Sequence, residues 1–213
     1  MYKRQAIIHD AGHGIGPNAC LPRLPVYARK MPMHWYGVIG ELTTDLAALA
    51  LLHDVAPFLI AFILLFRLFD YIREGFAIDP MYAWINHDYD SLAGALLFQG
   101  LSASGILSRT RAGYHLELDN IREFSHQLLT ELHELGINLL QLTRSGKTTQ
   151  IELTAHEYFS QHLECVPQDR FLLSSDHRMF LKKAAHLPLK PSWEAIEKRY
   201  KLQHFLKIEK WRS

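Results

Sequence analysis

Cysteine is scarce in this chain: Cys20 and Cys165 are the two present, far apart and without CxxC spacing. That excludes a disulfide-stapled scaffold and a sulfur-ligated metal site, and it fits a reducing, cytoplasmic compartment. An excess of either charge is also missing. With 23 Lys and Arg against 22 Asp and Glu, no whole-chain field draws the protein to nucleic acid or to an anionic membrane. Nor is there an unbroken apolar run of the roughly 20 residues that a membrane span requires. Leu46 to Leu52 and Phe58 to Phe66 would approach it together, but His53, Asp54 and Pro57 fall between them. Ionisable groups at bilayer depth are costly, so this stretch reads as helix buried in protein. Internal repeats, low-complexity tracts and a recognisable secretory or transit segment are absent as well.

What is present is a 213-residue chain, 48% apolar, with enough material for one substantial core. Met1-Tyr2-Lys3-Arg4-Gln5 matches the translation of a sequencing-transposon end, GTG-TAT-AAG-AGA-CAG. Residues 1–5 therefore read as a non-native leader, and the chain as an N-terminally truncated environmental reading frame. Residues 6–110 form a helical region and 111–213 an α/β-like region with a terminal helix, both within one domain.

The expected fold is mainly α, a helical metallohydrolase-like domain with a small α/β or β-hairpin element in its C-terminal half. Residues 6–13 read as the end of a helix stopped by Gly14, Gly16 and Pro17, followed by a proline-rich loop to Pro32. A helical pattern runs from Trp35 to Leu52 and breaks before Pro57. Ser91 to Ala103 predicts another helix, and Tyr114 to Leu118 alternates as a short strand. Asp119 would cap a helix carrying Ile121, Phe124, Leu128, Leu132 and Leu135, with Gly136 as its stop. Ile137 to Leu142 and Thr148 to Leu153 would then form a hairpin around Arg144-Ser145-Gly146-Lys147, a continuous helix being the alternative that Gly146 and the threonines disfavour, and a final helix would follow Pro191.

Histidine is abundant, with 13 copies, and two of them matter most. His9 and His13, in His9-Asp10-Ala11-Gly12-His13, lie one helical turn apart and share a face. Glu41 and Asp45 repeat that spacing inside the apolar Trp35–Leu52 pattern. A catalytic zinc site wants three protein ligands and an open position for water, and His9, His13 and Glu41 supply such a set. Asp10, beside the first ligand, is placed to take the proton of a metal-activated water. Asp45 could accept from the outer nitrogen of a ligating histidine and fix its orientation. Carboxylates buried in an apolar run need a partner, and a metal-bound histidine is one.

The HDxxH stretch followed by Glu41-Leu42-Thr43-Thr44-Asp45 resembles the gluzincin metallopeptidases, in which a His-Glu-x-x-His helix precedes a Glu-x-x-x-Asp helix. His13-Gly14, His87, the strand near Tyr114 and the helix after Asp119 are distantly similar in order to the dipeptidyl peptidase III type. The resemblance implies zinc-dependent hydrolysis of a peptide or amide bond in a peptide or small-molecule substrate. It also implies that His87 faces the substrate, polarising the carbonyl or holding the oxyanion. Asp10 stands where the family has glutamate, and one residue found between the dipeptidyl peptidase III histidines is missing.

Ala6-Ile7-Ile8-His9-Asp10-Ala11-Gly12-His13-Gly14 is also similar to the HD-domain phosphohydrolases, the rival reading, which leaves Glu41 unexplained. There His9 and Asp10 would both ligate a divalent metal, together with an upstream histidine and a downstream aspartate. A third alternative is a catalytically inactive helical scaffold, metal-binding or metal-free. Without any site, His9 and His13 are ordinary hydrogen-bonded histidines, and Glu41 and Asp45 cap or pair with Arg23, Arg29 or Lys30. His53-Asp54 reads as capping, and His126 and His133 as solvated. His156 and His162, six residues apart, point to different helix faces and form no second metal site. Nine basic residues against three acidic between Lys182 and Arg212 read as a solvated face, without nucleic-acid contact.

Overall fold

The computed structural model describes residues 33–71, 82–84, 89–166, 170–184 and 206–208. Its helices and strands follow in the order α1 (Met33–Val55), α2 (Pro57–Leu65), a π-helical segment (Phe66–Tyr71), β1 (Tyr82–Trp84) and α3 (Tyr89–Ala103). Then come β2 (Leu107–Arg109), β3 (Tyr114–Leu116), α4 (Ile121–Arg144), α5 (Thr148–His162), β4 (Glu164–Val166), β5 (Arg170–Leu172), α6 (Ser175–Ala184) and β6 (Leu206–Ile208). The expected mainly helical fold with a small hairpin in the C-terminal half is what forms.

α1 is apolar nearly all round, the signature of a helix enclosed by others rather than laid on a surface. Trp35, Val38, Ile39, Leu42, Leu46, Leu49 and Leu52 are all buried, and α1 packs against α2, α3 and α4. The chain leaves it at Ala56, whose amide still bonds to the Leu52 carbonyl at 2.9 Å. Pro57 opens α2, where its missing amide hydrogen costs nothing. The long apolar stretch is thereby divided, and no helix of the described residues is long and apolar enough to cross a membrane.

α4 buries Ile121, Ser125, Leu132, Leu135, Leu139, Leu140 and Thr143, a stripe at helical spacing. His126 and His133 are exposed on its other face, as expected. Gly136 does not stop the helix. It is buried in the stripe, and the packing of its neighbours outweighs a propensity cost of about 1 kcal/mol. The stop comes at Gly146, whose φ of 69° suits glycine. The expected hairpin across 137–153 is thus replaced by α4, a tight turn and α5. Asn120 rather than Asp119 holds the N-cap position, without a side-chain cap bond.

Two three-stranded sheets flank the helices, in the orders β1-β5-β4 and β2-β3-β6. β4 and β5 are antiparallel, with Cys165 opposite Phe171. β2 and β3 are antiparallel with Ser108 opposite His115, and β3 is parallel to β6 with Leu116 opposite Ile208. β6 is a strand within the segment expected to be the terminal helix. The remainder of that segment, like residues 6–32, lies outside the described residues.

Beneath β3, Phe98 of α3 stacks on His177 of α6 at 3.9 Å between ring centroids, and Phe180 meets Phe98 and Tyr114 edge-on. Trp35 stacks on Phe159 at 4.9 Å, tying α1 to α5. The Tyr114 hydroxyl donates to the Asp176 carbonyl at 2.9 Å. His177 is buried, with Nε2 at 3.3 Å from the Leu68 carbonyl oxygen. Burial holds its pKa down to about 3, against a smaller upward pull from that carbonyl. The imidazole is therefore neutral in the fold, while the unfolded chain takes up a proton below about pH 6.5.

Its contribution to stability is intact above that value and is lost as the pH falls toward 3. Chemical denaturation at pH 7 and pH 5 should show the wild type losing about 2 kcal/mol relative to His177→Gln. A pH-independent difference between the two proteins would contradict this assignment.

Candidate functional site

Glu41 and Asp45 lie on one face of α1, one turn apart, as their spacing requires. What meets them is Arg67. This arginine sits on the π-helical segment directly after α2, with a side chain only 3% exposed. Its Nη2 is 2.9 Å from Glu41 Oε2 and its Nε 2.5 Å from Asp45 Oδ2. Nη1 lies 2.5 Å from Oδ1 of Asp90, in the first turn of α3. One planar guanidinium thus addresses carboxylates from two helices along three of its nitrogens, a use of its rigid fork that lysine cannot reproduce.

Three carboxylates thus meet one guanidinium in a largely dry setting. Burial opposes the charge on Arg67, but Asp45, Asp90 and Glu41 outweigh it and raise its pKa. Asp90 registers the competition between burial and its neighbours. Burial pushes its carboxyl up to about 6, Arg67 pulls it down, and Glu41 pushes it up again. Near neutral pH this cluster can therefore take up a proton, which would lie between Asp90 and Glu41.

Of the residues expected to form the site, Glu41 and Asp45 are brought together, on a cation. His9, Asp10, His13 and His87 lie outside the described residues, as do Arg23, Arg29 and Lys30. Among the described residues, no group of three or more His, Cys, Asp or Glu side chains is arranged to hold a metal. A zinc ion taking Glu41 would have to share that carboxylate with Arg67. The occupied Oε2 disfavours a ligand role for Glu41.

His53 Nδ1 is 2.8 Å from Asp54 Oδ1 at the exposed end of α1, and Asp54 Oδ2 pairs with Arg122 at 2.9 Å. The bond to His53, ahead of the charge of Arg122, keeps the Asp54 pKa low. This pair ties the ends of α1 and α4 at the surface. His156 approaches Cys165, and the His162 ring lies against Tyr158, so these two histidines are separated as their spacing requires.

Sequence reasoning missed Arg67 and Asp90. The signal was present: Arg67 is a lone cation in an apolar stretch, and a buried cation needs anions as surely as the reverse.

Removing the guanidinium should take a shared cation from buried Asp45 and part-buried Glu41 and Asp90. Arg67→Met should lose about 3 to 5 kcal/mol in urea denaturation, with Arg67→Lys falling between it and the wild type. Equal stability of Arg67→Met and wild type would show the cluster to be solvated. Asp90 behaves oppositely to His177: its stabilising effect is full below the ordinary carboxyl range and is lost as the pH rises through about 6. Asp90→Asn should therefore gain on the wild type between pH 5 and 7.5, on the order of 1 kcal/mol after discounting for solvent at this half-buried group.

Compared with known proteins, the chain matches no family model, no curated protein and no solved structure.

Proposed function

We propose that this chain is a metal-dependent hydrolase whose metal is held from the His9-Asp10-Ala11-Gly12-His13 stretch. The spacing of that stretch is the single observation that carries the reading. A divalent cation bound there would supply an activated water, its pKa lowered to near 7. Two assignments of the carboxylate follow.

In the peptide or amide hydrolase, zinc is held by His9, His13 and Glu41, Asp10 takes the proton of the water, Asp45 orients a ligating histidine and His87 faces the substrate. In the HD-type phosphohydrolase, His9 and Asp10 are themselves ligands and Glu41 is not needed. Arg67 favours the second assignment. Glu41 and Asp45 interrupt an apolar helix, and their pairing with Arg67 accounts for them without a metal. The same pairing also suits an inactive scaffold, with or without metal, so hydrolysis together with metal content separates scaffold from enzyme.

Metal bound by the purified chain would be measured by mass spectrometry for wild type, Glu41→Ala and Asp10→Ala, with circular dichroism confirming matched folding. Glu41→Ala should fold, because it leaves Arg67 paired with Asp45 and Asp90. We expect about one divalent metal per chain, retained in Glu41→Ala and lost in Asp10→Ala, with hydrolysis of bis(p-nitrophenyl) phosphate. Loss of metal in folded Glu41→Ala, with retention in Asp10→Ala, would move the assignment to the peptide hydrolase and zinc. Metal-free, well-folded wild type would overturn both and leave the scaffold.

A further inference from the structure

α5 and β4 bring three side chains with nucleophilic or basic chemistry together. His156 Nε2 lies 3.1 Å from Cys165 Sγ. Ser160, one turn along α5, places its Oγ 3.3 Å from His156 Nδ1. One tautomer satisfies both contacts: Nδ1–H donates to the serine oxygen, and the bare Nε2 accepts from the thiol. A nucleophile, a base within hydrogen-bond reach and a third group orienting that base is the arrangement that activates a weak nucleophile.

Fold and access both support the pair. Cys165 lies in β4 opposite Phe171 of β5, whose ring centroid is 5.9 Å from that of His156, so strand pairing sets the sulfur against the helix. Cys165 is a thiol, and both it and His156 are half-buried, leaving solvent a way in. The other titratable groups of α5 and β4 have contacts or exposure of their own. Glu152 accepts from Trp35 Nε1 at 2.5 Å, Glu157 and Glu164 are exposed, and His162 packs on Tyr158.

We infer that Cys165, with His156 as its base and Ser160 positioning that base, is a reactive thiol that exchanges with low-molecular-weight disulfides. His156 takes the thiol proton, and the Cys165 thiolate attacks one sulfur of the disulfide. A new S–S bond forms to Cys165 as the old one breaks, and the departing thiolate collects the proton from His156. No other oxidant is consumed, because the incoming disulfide carries the oxidation state. The site is separate from the metal reading and does not depend on it.

The test uses the full chain, with iodoacetamide as probe and peptide-level mass spectrometry to follow Cys165 separately from Cys20. Rates would be read from pH 5.5 to 9.5 for wild type, His156→Gln and Ser160→Ala, and oxidised glutathione would be added at pH 7. We expect a wild-type midpoint at least about one pH unit below the ordinary thiol value of about 8.5, and a glutathione mixed disulfide on Cys165. His156→Gln should restore the midpoint to about 8.5 and slow alkylation at pH 6.5 on the order of threefold, with a smaller effect for Ser160→Ala. Overlapping wild-type and His156→Gln profiles, or a wild-type midpoint near 8.5, would overturn the pairing. A low midpoint without mixed disulfide would overturn the acceptor. Should His156→Gln fail to fold, the wild-type midpoint and its thiolate absorbance decide alone.

Discussion

Everything near the middle of this molecule has to accommodate one buried guanidinium. An arginine removed from water is tolerable only when its donors are met, and here three of its nitrogens are met by charge. Because the guanidinium is planar and rigid, the acceptors cannot be placed freely. Glu41 and Asp45 must share one face of α1, the π-helical segment must deliver Arg67 to that face, and α3 must begin where Asp90 can close the third side. The wider turn of a π-helix is an uncommon element, found where a side chain is held at a particular angle, and it carries this residue. The cluster joins three segments that the surrounding leucines would pack with little preference for register.

Apolar packing supplies the volume and the polar groups supply the alignment. α1 is buried along most of its length, and it packs against α4, whose buried stripe Gly136 interrupts in sequence but not in structure. Gly100 shows how closely the helices approach: a Cβ there would meet the Phe124 ring at 3.0 Å. The aromatic group around Phe98 adds a second fixed point, with His177 used as a neutral ring rather than as a charge. Two titrations of opposite sign are thus built into one core. Protonating His177 works against the fold, and protonating Asp90 relieves it.

The same carboxylates bear on function from two directions. A metal taking Glu41 would have to compete with Arg67 for it. In a peptide hydrolase this competition would make metal affinity and fold stability depend on each other. In a phosphohydrolase built on His9 and Asp10 the Arg67 cluster would serve only the scaffold. Cys165 and His156 occupy a different part of the molecule, on α5 and the hairpin that follows it, and involve none of these charges.

Regular elements with a strong local pattern were legible in the chain itself. The Trp35–Leu52 helix, the break at Pro57, the helix through Ser91–Ala103, the strand at Tyr114 and the stripe from Ile121 each express a period of side chains that neighbouring residues already contain. Where local propensity and packing disagreed, packing won: Gly136 continues its helix because its neighbours are buried, and Thr148 to Leu153 is helical despite its threonines. That Glu41 and Asp45 needed a partner also follows from the sequence, since charge inside an apolar helix is costly anywhere. Which partner they have was decided by tertiary structure alone. Arg67 and Asp90 stand 26 and 23 residues from their counterparts, Glu41 and Arg67 respectively. His156 meets Cys165 only because the chain reverses after α5, for a hydrogen bond depends on distance in space, which spacing along the chain does not contain.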